Sequence, residues 1–213
     1  MFFCALIGCF TPCQSQTTLT NDDALISIEN NAYIYVEGNV LIKSTGVIDN
    51  SGTMFVQNDW TNNSAFNVFL NSSPGTVSLF GTNQNIGGST PTLFYNLVTE
   101  NLAEKSLYVD TWVENMLNIK DAEIQIHDNV LHLRNPHPDS LLWNSGFVSG
   151  DSLGGYLNRS TNKLVEYIFP VGDLGLINTY RAVALTPTSS DSSVFGVRLA
   201  GINSDVDNTG VSN

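Results

Sequence analysis

Positive charge is the scarcest property of this 213-residue chain. Eight Lys and Arg stand against twenty Asp and Glu, a net charge of −12. The eight are scattered singly: Lys43, Lys105, Lys120, Arg134, Arg159, Lys163, Arg181 and Arg198. A polyanion is held by a stripe of cations that displaces its counterions. No such stripe exists, which argues against nucleic acid and against an anionic membrane surface as partners. Charge of either sign is low, at 13% of residues, so polarity rests on Asn, Ser and Thr. Cysteine is absent beyond position 13. A long amphipathic helical stripe is also missing; "TENLAEKSL" at 99–107 reads as a connection between strands.

The early cysteines belong to a short apolar run, "MFFCALIGCF", followed by "TPCQSQTT". This has the core and cleavage region of a secretory signal peptide, expected over 1–15. Cleavage between Ser15 and Gln16 leaves small residues, Ser15 and Cys13, at the −1 and −3 positions. The mature chain then carries no disulfide. The run is too short to span a bilayer. No Lys or Arg precedes it, so the true start is expected a few residues upstream. The alternative is a lipoprotein-type box, "LIGC", with Cys9 lipidated.

What the chain has in abundance is one short phrase. Five segments alternate apolar and other residues before a turn-former: Ile34-x-Val36-x-Gly38, Met54-x-Val56-x-Asn58, Val77-x-Leu79-x-Gly81, Leu107-x-Val109-x-Thr111 and Ile124-x-Ile126-x-Asp128. Their second anchors lie 20, 23, 30 and 17 residues apart. Period-two alternation marks strands with one buried face. Between them sit "STG", "DNSG", "NSSPG" and "NIGGS", and Asn, which occurs 25 times, closes turns well. Recurrence near 20 residues predicts a coil that climbs one rung per repeat and is stable only as a stack. The alternative for such alternation is an ordinary β-sandwich. The fold expected is all-β: a right-handed β-solenoid over 16–135, a linker over 136–150, and a partial β-sandwich-like module over 151–213. The linker rests on Pro136 and Pro138, which are expected to end the ladder. Strands beyond it are expected near 154–158, 164–170, 180–186 and 193–200. The end, "NSDVDNTGVSN", supplies no closing strand, so a fragment of a larger protein is expected.

Four phrases in order carry a resemblance: "GTVSLFGTNQNIGGSTPTLFYNL", "GFVSGDSLGGYLNR", "EYIFPVGD" and "YRAVALTP". Over about residues 20–188 the chain resembles the N-terminal region of large secreted or surface proteins of the Bacteroidota. The most distinctive parts are Tyr167-Ile168-Phe169-Pro170-Val171-Gly172-Asp173 and Tyr180-Arg181. The resemblance implies export by the type IX route, and a C-terminal sorting or gliding-motility-associated domain that these 213 residues do not contain. It implies an address more than an activity. The triplet "DSL", at 139–141 and 151–153, resembles the O-glycosylation sites of that group.

Chemistry is thinly written. Polysaccharide lyases and hydrolases need paired carboxylates, or a carboxylate–metal cluster beside a base. Asp59, Glu100, Asp110, Glu114, Asp121, Glu123 and Asp128 do not recur at one rung position with a basic mate, and read as solvated carboxylates. His127, His132 and His137 fall five apart, which on a strand alternates faces. Asp205, Asp207 and Thr209, with Gly210, match the start of a calcium loop, making calcium the one cofactor considered. No catalytic residue and no organic cofactor are expected. Trp60, Trp112 and Trp143 could stack on sugars if exposed, but Trp60 and Trp112 sit in the alternating strands and read as core or rung-edge packing. Tyr108 and Trp112 in "YVDTW" form the best aromatic patch for stacking a glycan. The function expected is a secreted or surface-displayed structural or adhesive protein that meets glycans or other surface proteins. The alternatives are a carbohydrate-binding or carbohydrate-active β-helix protein and a spacer region of a larger exported protein.

Overall fold

A computed structural model describes residues 18–70, 73–150, 154–173 and 179–199. Residues 1–15 and Asp205, Asp207 and Thr209 lie outside that set, as does the second "DSL". The architecture is a parallel β-solenoid of about six turns. The described residues hold no α-helix and one 3₁₀ turn, Pro138–Ser140.

Each turn crosses three faces. The first is a parallel sheet of seven strands: Thr18–Asp22, Asn39–Ser44, Trp60–Ser64, Gln84–Gly87, Glu104–Leu107, Glu123–Gln125 and Phe147–Ser149. The second begins with Leu25–Ile28 beside Val47–Asn50, and Phe69 bridges to Ile48. The third begins with Tyr33–Val36, Thr53–Val56 and Thr76–Leu79. Higher in the stack, single long strands turn the corner. Thr92–Thr99 pairs through its first half with Thr111–Val113 and through its second with Thr76–Leu79. The register shifts between Phe94 and Asn96, where the strand changes face. Val130–Leu133 and Tyr156–Thr161 continue the second face, and Leu141–Leu142 the third.

Alternation puts one side chain in two inside, and identical register stacks those side chains into columns. On the third face Ile34, Met54, Val77, Leu97, Leu117 and Leu141 form one aliphatic column. On the first, Leu19, Val40, Trp60, Ile86 and Leu107 form another. Full burial of such side chains contributes about 1.5–3 kcal/mol each. Trp60 is among the largest fully buried side chains. It packs on Phe69 and Phe94, and its indole N–H donates to Thr92 Oγ1 at 3.0 Å.

The repeated phrase therefore has two meanings. Its first three copies are register mates on the third face. The Leu107 and Ile124 copies lie on the first face, where Leu107 pairs with Ile86 and Ile124 with Lys105. The spacing of 30 residues arises from that change of face, and the spacing of 17 from a two-residue offset within the first face, where Ile124 is the mate of Lys105 and not of Leu107. "TENLAEKSL" is a corner, with Asn101 at φ 66°, leading into the strand Glu104–Leu107.

The ladder does not stop at Pro136. Phe147–Ser149 pairs in parallel with Glu123–Gln125, Tyr156–Thr161 with Val130–Leu133, and Val171 bridges to Val148. Both prolines sit in a corner, where no ladder N–H is required. Pro138 opens the 3₁₀ turn, and His137 Nδ1 accepts from the Asp139 N–H. The expected linker thus holds two strands of the stack, Leu141–Leu142 and Phe147–Ser149. Beyond it the strands become antiparallel: Ser193–Val197 on Tyr156–Thr161, Tyr167–Phe169 with Val183–Leu185, and Gly172–Asp173 with Thr179–Tyr180. Two facing sheets of a sandwich are not among the described pairings; these strands close the end of the stack.

The closing element contains the most distinctive sequence phrase. Arg159, 1% exposed, stands in the second-face column between Leu133 and Phe195, and its guanidinium donates to Ile168 O at 2.6 Å and Pro138 O at 2.8 Å. It lies over the rings of Tyr167 and Phe169, while Tyr167 donates to Pro136 O. Burial lowers the Arg159 pKa to about 10. Two carbonyls and two aromatic faces hold this cation, with the Asp139 charge acting on it from further away.

Candidate functional site

Outward side chains are also stacked into columns, and this decides which aromatics can meet a ligand. Neighbouring strands stand about 4.8 Å apart. A ring in an outward column therefore turns its faces to the turns above and below, and only its edge to solvent. Trp112 shows this arrangement. Leu93 is its register mate on one side and His132 on the other, the latter ring 5.2 Å away and 12° from parallel. Burial lowers the His132 pKa, chiefly by desolvation. Both faces of Trp112 are thus flanked by neighbouring side chains.

Tyr108 stands at the end of the strand Glu104–Leu107 on the first face and is 62% exposed. His127, held at φ 47°, covers one ring face at 5.1 Å. The opposite neighbour is Gly87. The two aromatics considered as glycan platforms therefore lie in different columns on different faces, with different access.

The seven candidate carboxylates do not assemble into one cluster. Most are braces to the next turn. Asp59 accepts from the backbone N–H of Asn85 at 2.8 Å, and Asp110 from that of Val130 at 2.8 Å. Glu100 pairs with Lys120 at 3.0 Å and accepts from Ser78. Burial works against the Glu100 charge, yet these bonds and the lysine charges leave its pKa lowered. Glu114 pairs with Arg134 at 3.3 Å, and Asp121 accepts from Ser145. Asp128 is exposed.

Two of the seven, Asp121 and Glu123, do meet in an open groove of about 550 Å³. A third carboxylate, Glu104, joins them, with Phe147 and Tyr180 on the rim. Glu104, Glu123 and Phe147 are successive register mates on the first face. Glu104 accepts from Ser106 and Glu123 from Ser149. Sequence reasoning missed Glu104 because "TENLAEKSL" was read as a connection, which hid its position as a strand residue. Among the described residues no group of three or more His, Cys, Asp or Glu is placed to hold a metal ion.

A further outward cluster lies on the third face. Tyr35 stacks on Phe55 at 4.7 Å, Tyr33 meets Phe55 edge-on, and Phe80 closes the row 5.1 Å from Tyr35. Tyr33 is 70% and Tyr35 54% exposed. A shallow cleft of about 390 Å³ beside them is rimmed by Asn30, Asn31, Ser51 and Thr53. The signal was present in the sequence: Tyr35, Phe55 and Phe80 occupy outward positions of the first three phrases, and Tyr33 directly precedes the first. Ser140 of the first "DSL" is 3% exposed and donates to Asn135 O, so its hydroxyl is not displayed. No helix among the described residues is long and apolar enough to cross a membrane.

No family model, curated protein or solved structure matches the chain.

Proposed function

We propose that the chain is a secreted or cell-surface structural protein whose solenoid displays a rigid adhesive surface to glycans or to other surface proteins. The observation that carries this reading is the placement of Tyr33, Tyr35 and Tyr108, each more than half exposed, on a stiff parallel stack. Large exposed aromatics on a soluble frame mark binding surfaces. A solenoid holds them at fixed separations, so little conformational entropy is lost on contact. The surrounding Asn, Ser and Thr supply donors and acceptors without charge. The sequence-based reading of an exported chain supports the surface address.

A second reading, a carbohydrate-active β-helix protein, is favoured by the groove of Glu104, Asp121 and Glu123. Register mates stand about 4.8 Å apart, near the carboxyl separation that retaining glycosidases use. One experiment separates the two. The chain from Gln16 onward is applied to a glycan array, with and without calcium, and the supernatants are assayed for released sugar. Retained binding without release supports adhesion, and release supports the enzyme. A blank array from a well-folded protein overturns both and leaves the spacer.

A further inference from the structure

The column Thr61–Gly87–Tyr108–His127 runs up the outside of the first face. Thr61 and Gly87 are register mates, and the Tyr108 N–H donates to Ile86 O, which sets Tyr108 beside Gly87. His127 fills the place beyond Tyr108 with a ring. Gly87 fills the place before it with nothing. A Cβ added to Gly87 would meet only Tyr108 Cβ, at 3.6 Å. Two strand spacings, about 9.6 Å, separate the Tyr108 and Thr61 positions. That gap accepts one ring, at ordinary stacking distance from Tyr108 and with Thr61 above.

The rim defines the ring. Thr61 offers a hydroxyl. Asn85, two residues before Gly87 on the same outward side, is bonded to Asp59 through its N–H and side-chain amide. Asp110 lies two residues beyond Tyr108. Hydroxyl, amide and carboxylate groups suit a ligand rich in hydroxyls. The two carboxylates disfavour a uronate, sulfate or phosphate. The face of an aromatic ring attracts polarised C–H groups.

We infer that the gap between Tyr108 and Thr61, left open by Gly87, is a subsite for one uncharged pyranose ring lying face-down on Tyr108. This rests on the adhesive reading and gives it a ligand class and a place. Trp112 has no part in it, because Leu93 and His132 flank its faces. Gly87 acts by lacking a side chain. Its φ lies outside the left-handed region, so a larger residue can replace it without backbone strain.

Saturation-transfer NMR on the full chain tests the subsite with methyl β-glucoside, methyl α-mannoside and methyl N-acetyl-β-glucosaminide, and with methyl glucuronide as the charged control. Tyr108→Ala removes the floor of the gap, and Gly87→Val fills it while keeping the floor. Tyr156→Ala, an exposed tyrosine on the second face, is the control. The expected result is saturation of the ring protons of at least one neutral glycoside and none of the glucuronide. Both first-face variants should weaken it roughly tenfold, about 1.4 kcal/mol, with thermal midpoints unchanged, and Tyr156→Ala should not. Wild-type binding by a folded Gly87→Val protein, or silence from all three neutral glycosides, overturns the subsite. An array hit that survives both first-face variants removes this subsite and leaves the adhesive reading standing. Silence in both assays removes both.

Discussion

Lys105 brings an ammonium group into the interior of the stack. Its side chain is fully buried, and Nζ donates to Gly81 O and Thr82 O at 2.6 Å each. Burial lowers its pKa from 10.5 to about 8, against a weaker opposing pull from Glu100. The direction of the pH effect follows. Between about 8 and 10.5 the unfolded lysine still holds the proton that the folded one has released. The unfolded state binds more protons there, so stability rises with pH across that window. Lys105→Met removes this contribution. Urea midpoints of wild type and variant, compared at the two ends of the window, should show the wild type gaining on the variant. A constant difference would show that Lys105 keeps its proton throughout. Gln84, the register mate of Lys105, donates to Val56 O and Asn58 O in the same way. Buried donors from one turn thus satisfy the corner carbonyls of the turn before.

Corners at the level of the strand use asparagine. Asn21, Asn50 and Asn62 are buried, and each spans two turns. Each side-chain amide donates to a backbone carbonyl of the following turn: Asn21 to Val47, Asn50 to Thr76 and Asn62 to Pro91. Each side-chain oxygen accepts a local N–H, from Ala24, Gly52 and Ser64 respectively. An aspartate keeps the second bond and loses the first, placing a carboxylate against a carbonyl. Asn50→Asp should therefore destabilise the chain by about 1–3 kcal/mol at neutral pH. Protonation restores a donor, so part of that loss should return in acid. Asn50→Ala should be destabilised with no such recovery. Thermal unfolding of both variants at neutral and acidic pH provides the check, and parallel pH profiles would refute the bridging role. The glycine that follows Asn50 by one turn has a related reason: a Cβ on Gly75 would lie 2.4 Å from Asn50 O.

At the scale of the whole molecule, a solenoid is a one-dimensional object in which each turn rests on its neighbours. Its two ends differ. Among the described residues the first turn is the less enclosed: Leu19, Ile26 and Ile34 are half-buried, whereas their mates Val40, Ile48 and Met54 are fully enclosed. The last turn is closed by the antiparallel strand Ser193–Val197 and by Arg159 with its aromatic partners. Damage to the closed end should stay local. Arg159→Ala leaves Ile168 O and Pro138 O without their donor. Amide exchange should accelerate in Tyr156–Thr161 and Tyr167–Phe169, while Thr53–Val56 keeps wild-type protection. A uniform rise would show that the stack opens as a single unit.

Legibility in the sequence followed the range of the interaction. Period-two alternation, Asn and Gly turns and a recurrence near 20 residues were sufficient for an all-β stack, because burying one face of a strand is a local demand. Which phrases share a face was a different matter. Leu107 and Ile124 repeat the pattern of Ile34 yet stand on another face, since corner residues and the shift at Phe94–Asn96 decide where a strand falls. Pro136 read as an end because proline breaks a ladder, but at a corner there is no ladder bond to break. Tyr108 was visible as an exposed aromatic, while Gly87 carried no signal until the register set the two side by side, 21 residues apart in the chain. The kind of structure and its sparse charge could be read from the amino-acid order alone. The tertiary structure alone decided which rings are covered and which face is open, because contacts between turns depend on register, and register depends on every loop between.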